Sequence, residues 1–327
     1  MRQLWWFIIL GFTVLVTLTM SCFTDVDNLN TPDGLPPILI SENSPYSYPK
    51  SALGRRLFFD KNISIDSTIA CANCHLPEYA YSDTTRFSNG VNNGTTDRNS
   101  PSLIYAGFSP LINKDGGVVK LDLQALIPIE DHNEMGIHIL SLAERLQADQ
   151  LYNQTFIDAF DREPDAFTIP RALAHFIRTL PTASSSYDKF VAGDEDAMTD
   201  TEKKGMDLFI SDRLQCASCH SPPLFSTFEF ANNGIYDSYE DLGRALISQD
   251  STDIGKFRIA SLRNISLTGP YMHDGSMETL EEVIQHYASG GSQHVNKDDR
   301  IHGFDISQEE TEELLAFFSA LTDMEPK

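Results

Sequence analysis

A chain of 327 residues with 41% hydrophobic and 22% charged residues has the composition of a folded globular protein and room for two domains. Its formal net charge of −23 argues against nonspecific nucleic-acid binding, which needs a basic face against phosphate. The acidic excess suits a basic protein partner, although solubility alone would account for it.

Arg2 opens an apolar run from Leu4 to Met20, the pattern of a secretory signal, which is also long enough for one membrane span. Leu18-Thr19-Met20-Ser21-Cys22 is a loose lipobox. Residues 1–22 are therefore expected to be a signal segment with Cys22 as a lipid anchor, the alternative being an uncleaved anchor. Either way the protein is expected to be exported, to the periplasm or cell envelope. Residues 23–50 are polar and rich in Pro, Asn and Ser, and are expected to form a linker.

A first domain is expected over 51–190. Leu53 to Phe59 reads as an amphipathic helix leading to Cys71-Ala72-Asn73-Cys74-His75. The pentapeptide recurs as Cys216-Ala217-Ser218-Cys219-His220 in a second domain expected over 191–327. Cys-x-x-Cys-His is the attachment signature of c-type haem: the thiols add to the porphyrin vinyl groups and the adjacent imidazole ligates the iron. A redox pair would not need the following histidine twice, and a zinc site would not spread its pairs 145 residues apart (216 − 71). Four of the five cysteines are thus assigned to two covalent haems.

Other segments repeat in step with the motifs. Gly205 to Phe209 echoes the helix before the first motif, and Phe225-Ser226 echoes Tyr81-Ser82. Ala260-Ser261-Leu262 echoes Pro101-Ser102-Leu103, so a degenerate duplication is expected. Between the motifs, Ser141 to Phe160 has helical spacing, and Pro170 to Leu180 is a helix opened by proline. Thr199 to Glu202 and Ser307 to Glu310 have the form of capping boxes, the second opening a helix that buries Leu314, Leu315, Phe318 and Leu321. Strand signals are sparse. The expected fold is mainly α, two cytochrome c-like haem domains with long loops and with the haems near the domain interface.

Two haem motifs in this setting resemble the bacterial di-haem cytochrome c peroxidase and MauG family. The resemblance runs from about Leu53 to Leu321. It is carried by 53–60 (Leu-Gly-Arg-Arg-Leu-Phe-Phe-Asp), 98–101 (Arg-Asn-Ser-Pro), Gln124, Glu134-Met135, 261–264 (Ser-Leu-Arg-Asn) and 268–275 (Thr-Gly-Pro-Tyr-Met-His-Asp-Gly), besides the motifs themselves. It implies a hydrogen peroxide reductase in which the His75 haem binds peroxide and the His220 haem takes electrons from a small donor protein of cytochrome c or cupredoxin type. A homodimer is a further expectation.

Under that resemblance Gln124 and Glu134 are the distal pair, with Glu134 moving a proton between the peroxide oxygens. Read without it, Glu134 is a loop glutamate in an acidic run. Residues 76–98 contain no histidine to cap the first iron, which is therefore expected to be open. His132 and His138 are expected to be ordinary histidines. The second iron's sixth ligand is expected to be Tyr287, as in MauG proteins, with Met277 and Met272 as alternatives. Asn99, Thr268 and Pro270 match a calcium site, and otherwise cap turns. One departure concerns the tryptophan that the family usually places between its haems. Here the corresponding stretch is Asn113-Lys114-Asp115-Gly116, and the only tryptophans are Trp5 and Trp6. The resemblance leaves open a MauG-like oxidase acting on a protein and a non-catalytic electron carrier.

Overall fold

The computed structural model describes residues 29–323; the signal segment and Cys22 lie outside them. The helices are α1 (Tyr48–Phe59), α2 (Leu121–Gln124), α3 (Leu126–Glu130), α4 (Ile139–Ala148), α5 (Gln150–Phe160), α6 (Thr168–Ile177), α7 (Ser186–Val191), α8 (Asp200–Ile210), α9 (Ala245–Ser248), α10 (Leu280–Ser289) and α11 (Gln308–Ala320). Among the described residues the sheet is one antiparallel pair of two-residue strands, β1 (Phe230–Ala231) and β2 (Phe257–Arg258). The fold is mainly α, as expected.

Both expected capping boxes form. Thr199 Oγ1 accepts from Glu202 N–H and Glu202 accepts from Thr199 N–H; Ser307 and Glu310 do the same for α11. Each box satisfies two orphan donors within one turn. The single helix expected over 141–160 is instead two. Asp149 breaks it, because its carboxylate accepts from Leu151 N–H (2.9 Å) and Tyr152 N–H (3.0 Å) and so caps α5. Helix α6 begins at Thr168, ahead of Pro170, since the Asp165 carboxylate accepts from Phe167 and Thr168 N–H.

Two helix crossings organise the molecule, and both depend on glycine. Helix α1 crosses α6 at Gly54, where a Cβ would lie 1.8 Å from Ala172 O; α8 crosses α11 at Gly205, where it would lie 1.9 Å from Glu313 O. One core gathers around Leu57, Phe58, Leu142, Phe156 and Phe176, the other around Phe209, Phe225, Leu314, Phe317 and Leu321. Leu315, expected on the buried side of α11, is only partly buried, and Phe317 occupies that side instead.

The stretch expected as linker is, from Leu29 onward, a strap packed against the segment around Tyr105 and against α6. Ile38 is buried beside Tyr105 and Phe108, Leu39 N–H donates to Gly107 O, and Ser44 Oγ meets His175 Nε2 at 2.9 Å. Helical structure begins at α1 with Tyr48, before the expected Ser51, because Pro49 is tolerated in a first helical turn. No helix of the described residues is long and apolar enough to cross a membrane.

The loops between 86 and 116 meet those between 241 and 274. Arg86 pairs with Asp274 (2.8 Å), Arg98 bridges Asp115 and Asp241 (2.6 Å each), and Asn99 N–H donates to His273 O. The turn at 113–116 is held by the segment 244–258: Arg258 N–H donates to Lys114 O (2.7 Å), and Arg244 donates to Asp115 O and Gly116 O. Gly116 has φ +72°, and a Cβ there would lie 2.4 Å from the Phe230 ring, so glycine is required on both counts.

Candidate functional site

Each motif forms a short 3₁₀ turn, Cys71–Asn73 and Cys216–Ser218. His75 Nδ1 lies 3.1 Å from Tyr81 O, and His220 Nδ1 lies 3.1 Å from both Phe225 O and Ala260 O. A carbonyl only accepts, so Nδ1 carries the proton and Nε2 keeps its lone pair for a metal. Burial lowers the pKa of both imidazoles, which keeps them neutral as ligation requires. The four thiols form no disulfide, and burial raises Cys71 and Cys216 to about 12.

The duplication extends to hydrogen bonds. Ser82 Oγ donates to Ser100 O and Ser226 Oγ to Ile259 O; Ser102 Oγ donates to Ala80 O and Ser261 Oγ to Leu224 O. The second motif opens on a cavity of about 350 Å³ whose wall includes Cys216, Cys219, His220, Leu262, Ile284 and Tyr287. Paired thiols, a free Nε2 and an apolar wall are the donor set and surroundings that a covalent haem needs.

Glu134 is held at the first motif. Its backbone O accepts from Val91 N–H (2.9 Å), and Gly90 sits so close to Asn133 O that a Cβ would lie 1.8 Å away. The preceding residue, Asn89, presents its carbonyl 3.9 Å from Cys74 Sγ. The Glu134 charge itself helps raise both the Cys71 and Cys74 thiols, so the carboxylate lies within electrostatic reach of each. Burial, with smaller contributions from Asp131 and Asp97, pushes the Glu134 carboxyl up to about 7. His132 and His138 point to solvent, with side chains 88% and 64% exposed, as expected of ordinary histidines. Gln124 ends α2 with a buried Oε1 that has no hydrogen-bond partner. No hydrogen bond joins it to Glu134.

At the second motif, Tyr287 projects from α10 into the cavity wall, and burial raises its phenol to about 12. Met272 also lines the cavity, its Sδ accepting from Asn233 Nδ2 at 3.2 Å, whereas Met277 is not in that wall. His273 stacks on Phe257 with ring centres 3.9 Å apart. Asn99, Thr268 and Pro270 converge on the same cavity; Asn99 Nδ2 donates to Thr85 O, which leaves the amide oxygen for a cation. Sequence reasoning missed Asp97 as a neighbour of Glu134 and Arg258 as a cavity residue. No local pattern marks either one.

Two Cys-x-x-Cys-His turns, each with a neutral histidine and set in duplicated helix pairs, define a mainly α di-haem c-type cytochrome. The family model described as di-haem cytochrome c peroxidase matches residues 48–196. The methylamine utilization protein MauG of Methylophilus methylotrophus is 33% identical over 299 residues, covering 90% of this chain and 88% of its own. The cytochrome c551 peroxidase of Nitrosomonas europaea is 29% identical, covering 86% and 83%. The crystal structure of a MauG-like protein associated with microbial copper homeostasis superposes with TM-score 0.83 at 35% identity, covering 90% of this chain and 95% of that one. The chain belongs to the di-haem cytochrome c peroxidase and MauG family. It is accordingly an oxidoreductase of two c-type haems, and its relatives divide between MauG and peroxidase names.

Proposed function

We propose that this protein reduces hydrogen peroxide to water at the His75 site, with electrons received at the His220 site from a small cytochrome or cupredoxin. The observation that carries this reading is Glu134, a carboxyl raised to about 7 beside the first motif. Bound at His75, haem supplies an iron that can coordinate peroxide and exchange electrons with it. A carboxyl poised near neutrality can take a proton from one peroxide oxygen through Oε and return it to the other, so that the departing oxygen leaves as water. Two electrons, two protons and one peroxide give two waters. Gln124, whose buried Oε1 lacks a partner, would assist in orienting the substrate. His75 is held through Nδ1 by Tyr81 O, which would leave Nε2 to hold the haem iron.

The absence of histidine from 76–98 supports an open first iron that needs no reductive activation. Tyr287 in the wall of the cavity at His220 favours a second reading, a MauG-like oxidase acting on a protein substrate. A hard phenolate would favour ferric iron at the His220 haem. Asn99, Thr268 and Pro270 would hold calcium through oxygen donors. Export to the periplasm or cell envelope, with an anchor at Cys22, completes the proposal.

The test combines electron paramagnetic resonance of the ferric holoprotein with peroxide turnover of Glu134→Gln. One high-spin and one low-spin signal, with turnover lost in the variant, is the expected result. Two low-spin signals, no turnover and an indifferent variant would leave an electron carrier.

A further inference from the structure

We propose that Lys114 and Arg258 clamp the carboxylate groups of the haem held by His220, Lys114 reaching across from the first domain to do so. This rests on the di-haem class and not on the peroxidase reading.

The charges around the domain interface are mostly paired. Arg86 has Asp274, Arg98 has Asp115 and Asp241, and Arg263 has Asp188 at 2.7 and 2.9 Å. Lys114 and Arg258 stand in the same neighbourhood without such partners. Lys114 Nζ donates to Met272 O (3.2 Å) and Arg258 Nε to Asn113 O (3.2 Å); among the described residues neither has a carboxylate within ion-pair distance. Asp274 and Asp241 act on Lys114 only from farther away, against Arg98 and Arg258. Burial lowers Lys114 to about 7 and Arg258 to about 10.

Two partly buried cations at one cavity, Lys114 held by a carbonyl and Arg258 by a carbonyl and the face of the Phe228 ring (5.9 Å), are unfavourable unless an anion joins them. Both line the cavity that His220, Cys216 and Cys219 open on. The occupant that the motif attaches there is a porphyrin, and a haem carries two carboxylate side chains. One cation for each would remove the imbalance.

The loop bearing Lys114 is also fixed from the second domain, through Arg258 N–H on Lys114 O and Arg244 on Asp115 O and Gly116 O. The residue that takes the place of the family's inter-haem tryptophan would thus be an electrostatic element. A cation beside the haem favours the reduced iron and raises its potential.

Spectroelectrochemical titration of the holoprotein tests this in Lys114→Met, Arg258→Met and Lys114→Arg, with haem content confirmed at two per chain. Lys114→Met and Arg258→Met should each shift the reduction equilibrium of the His220 haem toward ferric by on the order of tenfold, ~59 mV for one electron. Lys114→Arg should restore it, and the His75 haem should move less. Resonance Raman bands of the haem carboxylates should shift in both Met variants, including in protein too unstable to titrate. Unchanged potential and bands, a larger shift at the His75 haem, or no rescue by arginine would overturn the proposal. Peroxide turnover does not enter the measurement, so it stands or falls separately from the peroxidase reading.

Discussion

Holding a carboxyl at about 7 should cost stability, and Glu134→Gln measures that cost. The ordinary glutamate pKa is 4.5 and the folded value is about 7. Between these values the folded protein keeps a proton that the unfolded chain has lost, so stability falls as pH rises through that window. Below about 4.5 the penalty is absent, and above about 7 it is complete. The gap of 2.5 (7 − 4.5), at ~1.4 kcal/mol per pH unit, sets a ceiling of ~3.5 kcal/mol. Glu134 is only partly buried, so solvent screening reduces the expected value to ~1–2 kcal/mol. Glutamine keeps the size and one of the two oxygens, replaces the other by an amide nitrogen, and cannot ionise. Glu134→Gln should therefore be more stable than the parent by that amount at pH 8 and equal to it at pH 4.5. Guanidinium denaturation of the holoprotein at both pH values, followed by circular dichroism, reads the difference. A variant equally displaced at both pH values, or less stable at pH 8, would refute the reasoning and remove the physical basis for a proton carrier at this position.

Asp131→Asn removes one of the charges raising Glu134 but keeps an oxygen to accept from Asn133 N–H. The rising limb of the pH dependence of peroxide turnover should move to lower pH by about 0.3–1 unit with the maximum preserved; an unmoved limb would mean that Glu134 does not set it. Gly205→Ala places a Cβ 1.9 Å from Glu313 O, 1.1 Å short of the 3.0 Å (3.0 − 1.9) that real contacts respect, and the obstacle is backbone. It should cost at least ~2–3 kcal/mol in a denaturation experiment, and a neutral result would mean that the α8–α11 crossing is looser than described. Tyr287→Phe should raise the potential of the His220 haem and change its ferric spectrum if the phenol oxygen ligates iron. An unaltered spectrum would reduce Tyr287 to packing against the haem edge.

Local chemistry was readable in the sequence because it closes within a few residues. The Cys-x-x-Cys-His turns, the capping boxes at Thr199 and Ser307, and the repeated Gly54 and Gly205 helices needed no knowledge of distant partners. The break at Asp149 was equally local, but the apolar spacing of 141–160 concealed it, since periodicity runs on across a cap.

What only the tertiary structure decided is where burial and charge accumulate. The strap through Ile38 exists because Tyr105 and Phe108 offer an apolar surface to it; the run Leu35-Pro36-Pro37-Ile38-Leu39-Ile40 supplies apolar side chains but does not say where they dock. Glu134 differs from the other acids of its run through desolvation beside Cys71 and Cys74 and through Asp97, and segments far apart in the chain create that environment. Lys114 could be recognised in the sequence only as a missing tryptophan. Its want of an anion, shared with Arg258, emerges when segments far apart in the chain bring two cations to one cavity. Covalent spacing and caps are short-range and are written in the chain; electrostatic cost depends on the whole surroundings, and folding alone assembles those.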